Sequence, residues 1–169
     1  MQPMPQSATT GYSLLQRFLH WAVALLVFFN LLFPDGMNAW RHIVRRGDTP
    51  SAADISAANI HAYLGIAILI LAVLRLFLRS FHGVPAHSAE EPKVFQVAAR
   101  IAHGALYLLI FAMPLSGMAA YYFGVDLAGS IHAGILKAIL WTLIGAHIAG
   151  ALVHQFYWQT NALRRMTIG

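Results

Sequence analysis

The chain has 169 residues, of which 59% are hydrophobic and 10% charged, and its formal net charge is +5. Soluble domains carry about 25% charged residues, so this composition excludes a water-soluble fold. It predicts an integral membrane protein with a single domain over residues 1–169. The lack of cysteine excludes disulfides, iron–sulfur clusters and the covalent attachment of c-type haem.

The first two predicted elements are apolar stretches long enough to cross a hydrocarbon core, which takes about 20 residues. The first covers residues 12–33 and ends at Pro34. Residues 1–11 are polar and lack the basic start of a signal peptide, so we expect the first stretch to be retained. A polar connection over residues 34–56, predicted to be a loop, leads to the second stretch over residues 57–78.

Two further apolar stretches follow. A predicted loop over residues 79–93 leads to the third, over residues 95–123, and the short connection 124–129 leads to the fourth, over residues 130–158. Backbone groups in lipid must be hydrogen-bonded within the protein, which requires helices here. We therefore expect an all-α, four-transmembrane-helix bundle with up-down-up-down topology, in which the last two helices are antiparallel neighbours.

The positions of lysine and arginine predict the orientation of this bundle. Seven lie on the side of both termini and the second connection (Arg17, Arg75, Arg79, Lys93, Arg100, Arg164 and Arg165), and four lie on the other side (Arg41, Arg45, Arg46 and Lys137). The positive-inside rule therefore predicts cytoplasmic N- and C-termini. Because the basic residues lie next to the spans, we interpret the positive net charge as a result of membrane orientation and not as a nucleic-acid-binding surface. The expected partner is therefore the lipid bilayer, and no nucleic acid is expected to bind.

Histidine carries the main chemical signal, with nine residues. Three of them, His42, His82 and His87, fall in predicted loops and are interpreted as solvated. The other six fall within the predicted spans: His20, His61, His103, His132, His147 and His154. Ionisable residues inside a membrane are costly and usually face the bundle interior with a functional partner, so these six are candidate site residues.

The depth of each histidine in the membrane sharpens this interpretation. At about 100° per residue, the histidines of the fourth span lie on one stripe of the helix. His147 lies toward the cytoplasmic side at the level of His20, and His132 lies toward the outer side at the level of His61. Two cross-helix pairs are therefore predicted, although His103 also lies at the inner level and competes with His20.

Paired imidazoles on facing helices suit one cofactor in particular. Two neutral imidazoles can bind the iron of a b-type haem from opposite faces, which leaves no open position and favours electron transfer. Gly65, four residues after His61, leaves room for a flat macrocycle. Arg17 and Arg75 are suited to holding haem propionates at the inner level, or alternatively anchor the cytoplasmic side. For any single histidine, a helix–helix hydrogen bond is the alternative.

Several motifs carry a resemblance to a known family. They are, in chain order, Arg17-Phe-Leu-His20-Trp21, His61-x-x-x-Gly65, Leu74-Arg75-Leu-Phe-Leu-Arg79, His132, Gly145-Ala-His147, His154-Gln-Phe-Tyr-Trp158 and the tail Asn161-Ala-Leu-Arg-Arg165-Met166. Over about residues 12–166 this ordered set resembles the bacterial cytochrome b561 family, which is also similar to the membrane cytochrome subunits of nickel hydrogenases.

The resemblance implies a fold, cofactors and a location. It implies two non-covalent haem b groups in a multi-pass protein of the bacterial inner membrane, with His20, His61, His132 and His147 as axial ligands of the haem iron. It places His154 at a position associated with the quinone end, and ubiquinone becomes the expected substrate or bound ligand. His154 would then relay a proton to a quinone carbonyl, and Trp158 would flank the quinone ring.

One branch of the family oxidises superoxide on the periplasmic face and reduces ubiquinone. This sequence departs from that branch in its short connection 124–129, but its first connection carries Arg41, Arg45 and Arg46, which are suited to steering an anion. The alternative is a solvated loop in which Asp35, Asp48 and Asp54 balance those arginines.

Three functions are compatible with these sequence features. The first is an oxidoreductase that transfers electrons between quinone and a second redox partner. The second is a haem-bearing anchor subunit for a separate dehydrogenase or hydrogenase-type partner. The third is a histidine-lined metal or proton transporter, which would be colourless.

Overall fold

The four predicted spans are membrane-length helices in the computed structural model, which describes residues 11–83 and 93–168. Over those residues the chain is helical and has no strand. The helices are α1 (Leu14–Leu32), α2 (Asp35–Arg45), α3 (Ala52–His82), α4 (Lys93–Phe123), α5 (Asp126–Ile131), α6 (Lys137–Phe156) and α7 (Ala162–Thr167). A π-helical turn, His132–Leu136, joins α5 to α6, so the fourth span is one continuous helix. The predicted all-α fold with four spans is confirmed.

Local hydrogen bonds explain where the spans begin. At α1, the backbone N–H of Gln16 donates to the Ser13 hydroxyl, and the backbone N–H of Ser13 donates to the Gln16 side chain. Ser51 and Asp54 make the same reciprocal arrangement at α3. Such a capping box satisfies backbone donors that a helix start leaves free. It lets α3 begin before the apolar stretch does, at Ala52 instead of residue 57.

The prediction of a loop over residues 34–56 was wrong for its first half, which forms α2. Its half-buried residues, including Met37, Trp40 and Arg41, recur at helical spacing and face α3, while His42 is exposed. The proline, glycine and aspartate at its start are turn formers, and they also suit the first turn of a helix. His42 therefore lies on a helix and not in a loop, although it is exposed as expected.

The other two predicted connections are also shorter than expected. His82 is the last residue of α3 and is exposed, so it is helical and not in a loop. His87 lies outside the described residues. Between the third and fourth spans only Gly124 and Val125 separate α4 from α5, and Gly124 has a φ of 66°, which glycine adopts without strain.

The spans pack in a defined order. The α1 helix packs along α3, α3 along α4, and α4 along α5 and α6. Leu31, Leu109 and Leu140, from three different spans, form a buried cluster in the bundle. The first and fourth spans meet through aromatic rings, as at Phe28 and Trp141, whose centroids are 6.2 Å apart.

Two short helices close the ends of the bundle. We call the end that carries α2 the outer end and the end that carries α7 the inner end. The α2 helix approaches α3 so closely at Gly36 that a Cβ there would lie 2.8 Å from the Cβ of Ala57. The α7 helix is held to α1 by hydrogen bonds from the Arg17 guanidinium to the Thr167 carbonyl and from the Trp21 indole to the Met166 carbonyl, both 3.0 Å long.

The close approach at Gly36 leads to a prediction. In Gly36→Ala the new methyl group would meet the backbone of Ala57 at 2.9 Å, and backbone cannot rotate away as a side chain can. We expect a loss of about 1–3 kcal/mol of stability, measured as thermal unfolding in detergent by circular dichroism. Gly104→Ala is the control, because no neighbouring atom lies within 4 Å of its new Cβ. Equal stability of the two variants would contradict the close docking of α2.

Candidate haem sites

The outer candidate site is formed by His61 of α3 and His132 at the start of the π-helical turn. Their ring centroids lie 6.2 Å apart, with ring planes at 81° to each other. Both residues lie in the first halves of their helices, and their rings are neighbours. The α3 helix and the fourth span therefore run in the same direction, as an up-down-up-down bundle requires. The two rings predicted to share a depth are therefore neighbours across the bundle.

His132 is held in one orientation by α4. Its Nδ1 lies 2.9 Å from the Met113 carbonyl oxygen, which can only accept, so Nδ1 carries the proton. The Ser116 hydroxyl lies 3.2 Å from the same nitrogen. A Cβ at Gly117 would lie 3.0 Å from the imidazole, closer than an ordinary van der Waals contact, so a larger residue there would require the ring to shift. The arrangement leaves Nε2 as the nitrogen with a free lone pair, which is the form that a metal-binding histidine needs.

The π-helical turn begins at His132 itself. Such turns are rare and occur frequently at functional sites. A π turn takes more residues per turn than an α-helix, so it rotates the following residues away from the stripe expected for a uniform helix. Sequence reasoning did not predict this turn, nor the contacts of His132 with Met113 and Ser116, since hydropathy carries no signal for either.

His61 has one ring nitrogen without a hydrogen bond among the described residues. Its Nδ1 is buried and has no hydrogen bond among the described residues, while its backbone carbonyl accepts from the Asn30 amide at 3.2 Å. Buried polar nitrogens are almost always paired, so an orphan of this kind needs an explanation. Beside it, Gly65 has open space where a Cβ would point, with no atom within 4 Å.

A cavity of about 440 Å³ opens at this pair, and we call it the outer cavity. Both histidine rings line it, together with Gly65, which sequence reasoning placed beside a macrocycle. Apolar residues of the spans form most of its wall, and a few polar and charged residues, including Arg41 and Lys137, face it. A largely apolar cavity with a few placed polar groups is typical of a cofactor site.

The inner candidate site contains three histidines instead of two. The ring of His147 in α6 lies 6.2 Å from that of His20 in α1 and 5.2 Å from that of His103 in α4. His20 and His147 are half-buried, whereas His103 is exposed. Trp21 packs edge-on against His20 at 5.3 Å. His20 and His103 therefore both lie next to His147, but they differ in their distance from its ring and in their exposure.

Arg17 and Arg75 lie at the inner end with incomplete hydrogen bonding. Arg75 donates from Nε to the Tyr107 hydroxyl at 3.1 Å, while its Nη1 is buried and has no partner among the described residues. Arg17 donates to Thr167 through Nη1, while its Nε is buried and likewise unpaired there. Each guanidinium is therefore fixed by one contact and keeps a buried donor suited to an anion. Membrane anchoring alone does not account for buried donors.

His154 and Trp158 form an aromatic cluster at the inner end. Their ring centroids are 4.8 Å apart, and Phe95 of α4 packs on Trp158 at 4.6 Å. Thr160 donates from its hydroxyl to the His154 carbonyl at 3.0 Å, and its oxygen lies 3.4 Å from Nδ1 of His154. Sequence reasoning missed Phe95 and Thr160, because one comes from a different helix and the other depends on how the chain turns after α6.

Comparison with known proteins finds one matching family model and several relatives that align over most of the chain. A model described as prokaryotic cytochrome b561 matches residues 11–169. Cytochrome b562 of Cereibacter sphaeroides is 35% identical over 156 residues, which is 92% of this chain and 94% of that protein. The probable superoxide oxidase CybB of Yersinia pestis is 30% identical over 92% of this chain and 94% of its own length. Cytochrome b561 homolog 2 of Escherichia coli K12 is 25% identical, with 92% of this chain and 90% of that protein covered.

Proposed function

This chain belongs to the prokaryotic cytochrome b561 family, and we propose that it is a di-haem b cytochrome that transfers electrons to or from quinone across the bacterial inner membrane. The family and the named relatives make it a b-type cytochrome of electron transfer in a bacterial membrane. The proposal adds the number of haems, their ligands, the quinone and the faces of the membrane. It treats residues 1–169 as one domain.

One observation carries the proposal: two histidine pairs have the same ring separation. Two imidazoles that bind one metal from opposite sides, each at a metal–nitrogen distance of about 2 Å, have ring centroids about 6 Å apart. His20 with His147 and His61 with His132 both have 6.2 Å. His103 lies only 5.2 Å from His147 and is exposed, so we assign the inner pair to His20 and His147.

The surrounding residues fit haem b at both levels. The Met113 carbonyl fixes the tautomer of His132, and His61 lines the same cavity. At the inner level the buried unpaired donors of Arg17 and Arg75 suit propionates. When bound, the two haems would supply one-electron redox centres in the two halves of the bilayer. The orientation from the basic residues makes the outer end periplasmic.

Quinone is proposed to bind at the inner end, against His154 and Trp158. A quinone takes up two electrons and two protons when it is reduced. A histidine imidazole can donate a hydrogen bond to a quinone carbonyl and relay a proton to it. Thr160 holds the backbone of His154, and Phe95 supports the Trp158 ring that would flank the quinone. Ubiquinone is the quinone that the resemblance favours.

The electron donor is proposed to be superoxide. One relative is named a probable superoxide oxidase, and the exposed Arg45 lines the outer cavity of this chain. Cations around a cleft raise the local concentration of a small anion. Arg46 contributes less, because it is exposed and pairs with Asp48 at 3.4 Å.

The first test concerns the ligands. We expect His132→Ala and His147→Ala each to remove one haem, and the double variant to remove both, because each pair loses an axial ligand. Reduced-minus-oxidised spectra and pyridine haemochrome quantitation on purified protein measure the haem per chain. His42→Ala is the control, since His42 is exposed on α2. Retention of both haems in the double variant would refute the pairing, and the same assay on His103→Ala tests the inner assignment.

The second test concerns the quinone end. Loss of a proton relay typically costs about 10²–10⁴ in rate, so we expect His154→Ala to slow ubiquinone reduction by at least about a hundredfold with unchanged haem content. Thr160→Val should lower the rate less, since it removes only the hydroxyl that contacts His154, and Thr160→Ser should restore it. His82→Gln, exposed at the end of α3, serves as control. Wild-type rates in His154→Ala would exclude this residue.

The third test concerns the donor. Stopped-flow mixing of the purified, oxidised protein with superoxide is expected to reduce haem within the mixing time, because no partner protein is needed. Superoxide dismutase in the mixture should abolish the signal. If reduction is absent, and occurs only when a soluble redox protein is supplied, the chain is instead the haem-bearing subunit of a larger system.

A further inference from the structure

Two cations in the outer cavity are not explained by the ligand set. Arg41 is half-buried on the side of α2 that faces the bundle, whereas its neighbour His42 is exposed. Lys137 is the first residue of α6, five positions after His132, and is half-buried inside a membrane span. Both line the outer cavity. A cation within a span is costly and marks a functional contact by default.

The charges around this cavity do not cancel. Arg41, Arg45 and Lys137 supply three positive charges to its wall and Asp126 supplies one negative charge, which leaves a net charge of +2. Both cations line the same cavity as His61 and His132, and a terminal guanidinium nitrogen of Arg41 lies 3.9 Å from the place a Cβ would take at Gly129, three residues before His132. Between described residues the one ion pair joins Arg46 to Asp48, so neither cation is neutralised within this part of the chain.

We propose that Arg41 and Lys137 form an anion site in the outer cavity that binds the two propionate carboxylates of the haem held between His61 and His132. This inference depends on the proposed function, which places a haem there. The net charge of +2 matches two carboxylates, and both cations line the cavity that His61 and His132 also line. Arginine binds a carboxylate through two parallel hydrogen bonds, and lysine binds it as a compact point charge.

The proposal gives α2 a role beyond covering the bundle. Arg41 reaches the cavity only because α2 packs on α3, through the close approach at Gly36. The outer haem would then be held by three separate segments: α3 through His61, the fourth span through His132 and Lys137, and α2 through Arg41. Arg41 and Lys137 also serve a different purpose from Arg46, which is exposed and paired with Asp48.

The test uses the haem-loaded, full-length protein. Lys137→Met and Arg41→Gln are compared with wild type and with Arg46→Gln as control, and the rate of haem transfer to excess apomyoglobin is followed by absorbance. A charge-assisted hydrogen bond is worth enough to slow release roughly tenfold, so we expect one of the two haems to leave about tenfold faster in each variant. We also expect a lower midpoint potential for that haem in a redox titration, since a removed cation favours the oxidised form. Lys137→Arg, which keeps the charge, should restore both properties.

Other outcomes would overturn the proposal. Release rates like wild type in both variants would exclude a propionate contact, and Lys137→Arg as fast as Lys137→Met would indicate packing and not charge. If release is unchanged, but added sodium nitrate shifts the outer potential in wild type and not in Lys137→Met, the site binds a free anion. Failure of the proposed function gives a different result. In that case His132→Ala would keep both haems, whichever residue stands at position 137.

Discussion

An imidazole inside a bilayer is costly unless its nitrogens find partners, and the arrangement of this bundle depends on that constraint. Four histidines meet in two pairs, each with its rings 6.2 Å apart across helices that do not adjoin in sequence. His132 meets this requirement at Nδ1 through the Met113 carbonyl, whereas Nδ1 of His61 is buried and has no hydrogen bond among the described residues. Under the proposed function, an iron held between the two rings of a pair would give one nitrogen of each ring a partner, so cofactor binding and folding would be coupled.

The two pairs differ in their surroundings, which matters for redox tuning. His132 donates Nδ1–H to the Met113 carbonyl, and a hydrogen bond of that kind makes the other nitrogen a stronger ligand. The inner level has a third imidazole, His103, and the cationic side chains Arg75 and Arg79, both of which contact Tyr107. Cations therefore lie near the histidines at both levels, and the two levels differ in the third imidazole of the inner one and the Met113 contact of the outer one.

The short helices outside the lipid also serve the sites. The α2 helix covers the outer end and turns Arg41 into the cavity, while α7 is hydrogen-bonded to the start of α1 near His20. The chain between α6 and α7 passes through two residues with positive φ, Gln159 and Asn161, and this turn returns Thr160 to His154. Each end of the bundle is therefore closed by a segment that also positions polar groups next to the histidines.

The sequence by itself determined the four spans and the depth of each histidine. Apolar length and the need to satisfy backbone hydrogen bonds in lipid leave only helices, and a fixed rise per residue converts spacing into depth. Depth, however, does not distinguish His20 from His103, since both lie at the level of His147. The two differ in the distance of their ring centroids from that of His147, which is 6.2 Å for His20 and 5.2 Å for His103. Four further features are visible only in the tertiary structure: the α2 helix, the π-helical turn at His132, the contact of His132 with Met113, and the position of Arg41 in the wall of the outer cavity. These depend on helix rotation and on neighbours distant in sequence, which the pattern of one chain does not encode.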